Sequence, residues 1–149
     1  MADEKQKKQE KQEKPRKDTA IVNGTNLGIS TKDASAICKM IRGKGTEKAL
    51  DMLNEVLAYK RVVKMNKREV GHKKGKGVMA GRYPINAVRE FIRLLRQLNA
   101  NAVVNELPLE EYVIFCKADK ASRPYRRGGT QFKRTHVLLK LEKKKEKKK

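Results

Sequence analysis

Apolar residues recur with two different periods in this chain. Ala34, Ile37, Cys38 and Ile41 fall at i, i+3, i+4 and i+7, one face of a helix. Ser30 is placed to cap that helix, with Asp33 three residues on as a capping-box-like acid, and Gly43 and Gly45 stop it at Arg42. A second stripe, Ala49, Leu50, Leu53, Val56 and Leu57, follows Thr46 as its expected cap, and Glu47 suits its first turn. The longest helix is predicted from Ile85 to about Asn105. Pro84 sits where a first-turn proline is tolerated, and Ile85, Val88, Phe91, Ile92, Leu95, Leu98 and Ala102 form a wide apolar face. Leu107-Pro108 breaks it. Tyr112 to Cys116 and Thr135 to Leu141 are β-branched and aromatic runs, read as paired antiparallel strands. Thr19 to Ile29 reads as a short strand or an extended arm.

Polar stretches separate these elements, and charge is concentrated in them. The chain of 149 residues carries 38 Lys+Arg against 17 Asp+Glu, a net charge of +21. Residues 59–82 hold nine basic and one acidic side chain, residues 117–136 seven and one, and residues 140–149 seven and two. Residues 1–18 hold seven basic and five acidic side chains, with no apolar residue after Ala2, so they read as a mobile tail. The remainder is neutral. One α+β domain over 19–141 is therefore expected to present an extended basic loop, 59–82, and a basic hairpin, 117–136. A Lys-rich tail, 142–149, follows. If the strands continue into the stretch between them, each arm of the hairpin reaches about 25 Å past the core with almost nothing apolar to pack on it.

Several function classes fall away. His72 and His136 are the two histidines, and no Ser/His/Asp arrangement accompanies them; Glu110-Glu111 precede a strand, where neighbouring side chains face opposite ways. No catalysis and no cofactor is expected. Cys38, His72, Cys116 and His136 lack metal-ligand spacing, so the two cysteines read as buried core thiols of a reducing compartment. The glycines from Gly71 to Gly81 lack the G-x-x-x-x-G-K-[ST] pattern of a phosphate loop. The longest apolar run, Tyr112 to Cys116, is far short of the roughly 20 residues of a membrane span, and the N-terminus has no secretory apolar region.

Unmatched cations interleaved with glycine point to a polyanion. Lys60, Arg61, Lys64, Lys67, Arg68, Lys73, Lys74 and Lys76 in the loop, and Lys120, Arg123, Arg126, Arg127, Lys133 and Arg134 in the hairpin, suit phosphate neutralisation. Arg also stacks on unpaired bases, which structured RNA displays more than duplex DNA, and Tyr83, Tyr125 and Phe132 are spaced to stack as well. Arg89, Arg93 and Arg96 form a further stripe, equally readable as a solvated helix face. Two rivals remain open: a DNA-compacting protein and a module for an anionic membrane surface.

Asn26-Leu27-Gly28-Ile29-Ser30, Ile41-Arg42-Gly43-Lys44 and Lys133-Arg134-Thr135-His136-Val137 occur in this order, with Gly71-His72-Lys73 and Ala80-Gly81-Arg82-Tyr83-Pro84 between them. The combination resembles the large-subunit ribosomal protein family numbered twenty-two in archaea and bacteria and seventeen in eukaryotes, in its archaeal form. The resemblance covers about residues 19–141. It implies three helices packed on a small three-stranded antiparallel sheet, with a long protruding basic β-hairpin. It further implies a cytoplasmic, non-catalytic protein of the large subunit, in contact with rRNA, neighbouring ribosomal proteins and the nascent polypeptide, and with no membrane or small-molecule substrate. Carried over by motif, Arg42, Lys44, His72, Lys73, Arg82, Tyr83, Lys133, Arg134 and His136 are expected rRNA contacts, joined by Lys60, Arg61, Lys74 and Lys120 from the charge reading. Arg123, Tyr125, Arg126, Arg127 and Gly128 would form a hairpin tip lining the exit tunnel. The tip here, R-P-Y-R-R-G-G-T-Q, is less Arg-Gly-alternating than the family leads one to expect, and the Ser usual after Lys-Arg-Thr is absent.

Overall fold

The computed structural model describes residues 19–65, 71, 75 and 77–144. Strand β1 (Ile21–Leu27) leads into α1 (Thr31–Ile41) and α2 (Thr46–Leu57). Two short strands, β2 (Val63–Lys64) and β3 (Gly81–Arg82), precede the long helix α3 (Ile85–Val104). Strands β4 (Tyr112–Lys120) and β5 (Thr135–Lys143) complete an antiparallel sheet of order β1-β5-β4. This is the α+β architecture expected, with β2 and β3 as an addition.

The sheet has one packed face. Thr135, Val137, Leu139 and Leu141 of β5 are buried in strict alternation, beside Tyr112, Ile114 and Cys116 of β4, and they meet the apolar stripes of the helices. Ile37, Ile41, Leu53, Val88, Phe91, Leu95 and Leu98 are wholly buried; each such side chain contributes about 1.5–3 kcal/mol by leaving water. β4 is an edge strand, and the turn after α1 covers part of that edge: Gly43 N–H donates to Ile114 O at 2.9 Å and Ile114 N–H donates to Lys44 O at 2.9 Å. At the opposite edge the amides of Asn101 and Asn105 on α3 donate to the carbonyls of Ile21 (3.0 Å) and Thr19 (3.3 Å).

Helix ends depart from the expected caps. Ser30 does precede α1, but its side chain makes no capping bond, and the residue before α2 is Gly45, with Thr46 buried as the first helical position. After α2, Tyr59 N–H bonds to Val56 O and Lys60 N–H to Glu55 O; after α3, Glu106 N–H bonds to Val103 O and Leu107 N–H to Ala102 O. Each pair closes the helix through a residue of positive φ, Tyr59 at 58° and Glu106 at 54°, a place that glycine usually takes. α3 closes at this turn, two residues before Pro108, which has no N–H to carry the helix further.

Three further expectations are corrected. The 59–82 segment, expected as one extended basic loop, is packed at its root: Val62, Val63 and Met65 are buried, because β2 and β3 pair (Val63 with Arg82, Lys64 with Gly81) and seal the root of the loop. Cys38 and Cys116 are buried as expected, but as a pair. Their Cα atoms are 5.2 Å apart and the sulfurs are joined as a disulfide between α1 and β4, a long-range contact that sequence spacing does not show. Strand pairing also runs further than the apolar runs, from Tyr112 opposite Lys143 to Lys120 opposite Thr135, so Glu142 and Lys143 belong to the sheet. Residues 1–18 and 145–149 of the proposed tails lie outside the described residues.

Candidate RNA interface

The hairpin's free part is residues 121–134, which hold five cations and no acid. Its backbone orders it. Ala121 N–H donates to Arg134 O, Phe132 N–H to Pro124 O and Arg126 N–H to Thr130 O. The pairing slips by one residue along the way, so that Ser122 and Arg123 lie opposite Lys133 alone, a bulge that re-aims side chains. Gly128 and Gly129 turn the tip at φ 78° and 73°.

The arms have little apolar surface, as expected, yet contacts within the chain hold part of them. The Arg126 guanidinium lies 4.1 Å from the Phe132 ring centre and that of Arg134 lies 5.7 Å from it, cation–π distances worth about 0.5–1 kcal/mol each where exposed. Phe132 rests against Gly28: a Cβ there would stand 3.2 Å from the ring. Arg127 and Lys133 are exposed, as is Tyr125, which bridges to Gln131. The Nε–H groups of Arg123 and Arg134 are shielded and have no acceptor among the described residues.

Thr135 anchors the hairpin's root. It is fully buried and donates its hydroxyl to Ile29 O at 2.9 Å. Its one proton being used, the 3.0 Å contact with Thr31 must be a bond donated by Thr31. One side chain thus ties β5 to the end of β1 and the start of α1. Next to it, His136 Nδ1 accepts from Asn26 N–H at 3.3 Å. Lys120 is exposed opposite Thr135.

The other site residues divide into those the fold uses and those it leaves in solvent. Arg42 donates to Cys116 O at 2.5 Å and lies 5.4 Å from the Phe115 ring centre, which fixes the turn that brings Lys44 to the β4 edge. Arg61 is paired with Glu55. Lys60 and Arg82 are exposed with no ion pair among the described residues, and Tyr83 is half-buried against Tyr59, ring centres 5.1 Å apart. His72, Lys73 and Lys74 lie outside the described residues. Arg89, Arg93 and Arg96 are all exposed on α3. The structure thus gathers Lys60, Arg61, Arg82 and Tyr83 at the loop root and Lys120, Lys133, Arg134 and His136 at the hairpin root. Sequence reasoning missed Tyr59 and Thr135. Tyr59 lies in no motif, and Thr135 entered only as the middle of Lys133-Arg134-Thr135-His136-Val137 with no role of its own, since what distinguishes the two is a backbone angle and a buried hydroxyl. Among the described residues no group of His, Cys, Asp and Glu is arranged to hold a metal, and no helix is long and apolar enough to cross a membrane.

Residues 22–140 match the family model for ribosomal protein L22p/L17e. The chain belongs to that family. Among its relatives are proteins named large ribosomal subunit protein uL22 from Methanocaldococcus jannaschii, 40% identical over 62% of this chain and 62% of that protein, and from Cenarchaeum symbiosum, 46% identical over 58% of each. A third, from Methanosphaera stadtmanae, is 37% identical over 70% of this chain and 71% of its own. The chain thus matches less than two thirds of the length of the first two. An L22p/L17e domain is a ribosomal protein and not an enzyme, in agreement with the sequence reading, and the family match falls on the same core, loop root and hairpin described above.

Proposed function

We propose that this chain is a structural constituent of the large ribosomal subunit in the cytoplasm, where it binds and organises large-subunit rRNA. The observation that carries the reading is the hairpin 121–134. It is ordered by its own backbone bonds, exposed, free of acids, and rooted by Thr135 in a neutral core. A rigid cationic projection lowers the cost of bringing RNA segments together, because each phosphate it neutralises releases condensed counterions. Since the arms are already paired, less conformational entropy is lost on binding than for a disordered arm. Lys60, Arg82 and Tyr83 form a second contact at the loop root, with Arg42 and Lys44 a third at the β4 edge; His72, Lys73 and Lys74 are expected to add rRNA contacts of their own. The tip, Arg123 to Gly128, reaches the wall of the nascent-peptide tunnel, so the partners are rRNA, neighbouring ribosomal proteins and the emerging polypeptide.

Sedimentation of a lysate at high salt tests this. Retention with the large subunit at one copy per particle is expected, since loosely held basic proteins wash off. Release of the whole pool to the top of the gradient would remove the structural role and favour the DNA-compacting alternative, which competition between duplex DNA and structured RNA then decides.

A further inference from the structure

We infer that Tyr59, with Tyr83 beside it, is a stacking platform for an unpaired RNA base. The inference rests on the RNA-binding reading and adds to it a residue and a mode of contact. Tyr59 has φ 58°, a left-handed conformation that is a genuine outlier for a bulky residue. Glycine would close α2 there without strain. A strained residue persists where its surroundings over-determine it, and here they do. The main-chain carbonyl of Glu55 accepts from both Lys60 N–H (2.9 Å) and Arg61 N–H (3.2 Å), while its carboxylate holds the Arg61 guanidinium.

What this turn holds out is a ring the core does not use: Tyr59 is 64% exposed. Its aromatic neighbour among the described residues is Tyr83, 5.1 Å away with the ring planes at 60°. The two form a corner, not a closed stack, and leave ring surface open. Tyr83 is itself fixed, because its carbonyl receives Ile85 N–H at the start of α3 and the preceding Arg82 pairs with Val63. Lys60 follows Tyr59 in the chain, Arg82 precedes Tyr83 and Lys64 pairs with Gly81, all three exposed and without ion pairs among the described residues. Aromatic surface set among unmatched cations is the chemistry of single-stranded nucleic acid, with phosphates on the cations and a base on the ring.

Ultraviolet cross-linking of large subunits that carry the full chain, followed by nuclease and protease digestion and mass spectrometry, should find nucleotide adducts on the peptides of Tyr59 or Tyr83. Adducts on hairpin peptides with none on these two would overturn the platform while leaving the ribosomal reading intact. If the chain does not sediment with the subunit, that broader reading fails on its own. The purified chain and a single-stranded oligoadenylate then decide the platform. Tyr59→Gly should melt at or above the parent temperature yet bind the oligonucleotide about tenfold more weakly, and Tyr59→Phe should bind normally. A lower melting temperature with unchanged binding would show that the ring serves packing, and would overturn the inference.

Discussion

Replacing Thr135 with valine keeps the shape of a buried side chain and deletes its hydroxyl. Two bonds go with it: the one donated to Ile29 O at 2.9 Å and the one received from Thr31 at 3.0 Å. The Thr31 hydroxyl is partly exposed and turns to water, so its loss is small. The carbonyl belongs to Ile29, which is 5% exposed, and an acceptor left unpaired in such a place costs about 1–3 kcal/mol. Added methyl burial offsets part of this, which leaves about 1.5 kcal/mol. In a folded unit of this size each kcal/mol moves the melting temperature by about 4 °C, so Thr135→Val should melt about 6 °C lower. Thr31→Val should lose less than half of that. Because the two hydroxyls are bonded to each other, the double variant should fall short of the sum of the singles. Thermal melts of the purified chain by far-ultraviolet circular dichroism measure all three. A Thr135→Val protein that melts with the parent would show that the hairpin root is held by packing alone, and the argument for a polar anchor would fail.

At the loop root, a Cβ at Gly81 would stand 2.1 Å from a Val62 methyl and 3.2 Å from Val63 O, so Gly81→Ala should destabilise by about 1–3 kcal/mol, read as a lower urea midpoint; an unchanged midpoint would mean that β2 and β3 do not seal the loop. The Arg127 side chain is exposed and makes no ion pair among the described residues, so Arg127→Glu should shift stability by less than about 0.5 kcal/mol while reducing retention on subunits at high salt, and a clear fall in melting temperature would place the tip against its own core. The Cys38–Cys116 link spans a sequence separation of 78 residues, and its reduction should lower stability by about 2–4 kcal/mol; coincident urea curves with and without reductant would show that it constrains nothing.

The sequence announces this fold where one residue type has one structural meaning. The stripes Ala34–Ile37–Cys38–Ile41 and Val88–Phe91–Leu95–Leu98 require helices, and the alternation in β5 follows from a sheet with a single covered face. Less legible were the features made by pairs distant in sequence. Phe132 reads as a ring spaced among cations to stack on a base, and only the approach of Gly28 and the slip at Lys133 show that the arm is held. Val62 to Met65 is too short a run to stand out until Gly81 lets the opposite strand come close. Tyr59 and Glu106 sit where glycine would have marked a helix end, so the closing turns were hidden, although the stripe ending at Leu57 and the end set at about Asn105 placed both helix ends. The candidate site was legible as charge, and its division into structural and solvent-facing cations was not.

That division is what separates a scaffold from a solvated polyelectrolyte. Arg42, Arg61, Arg126 and Arg134 have each found a carbonyl, a carboxylate or a ring within the chain, and they shape the turns on which the others stand. Lys60, Arg82, Lys120, Arg127 and Lys133 are exposed and make no ion pair among the described residues. Arginine dominates the first group because a planar guanidinium bonds at its edge and stacks on its face at once, something an ammonium cannot do. Lysine is frequent in the second, where only charge near a phosphate is required. Self-repulsion among the second group opposes the compact free chain, and the neutral core and the tied roots at Thr135 and Gly81 withstand it. An Arg42→Lys substitution should therefore harm the free protein although its charge is conserved, because the bond to Cys116 O and the contact with Phe115 cannot both be kept.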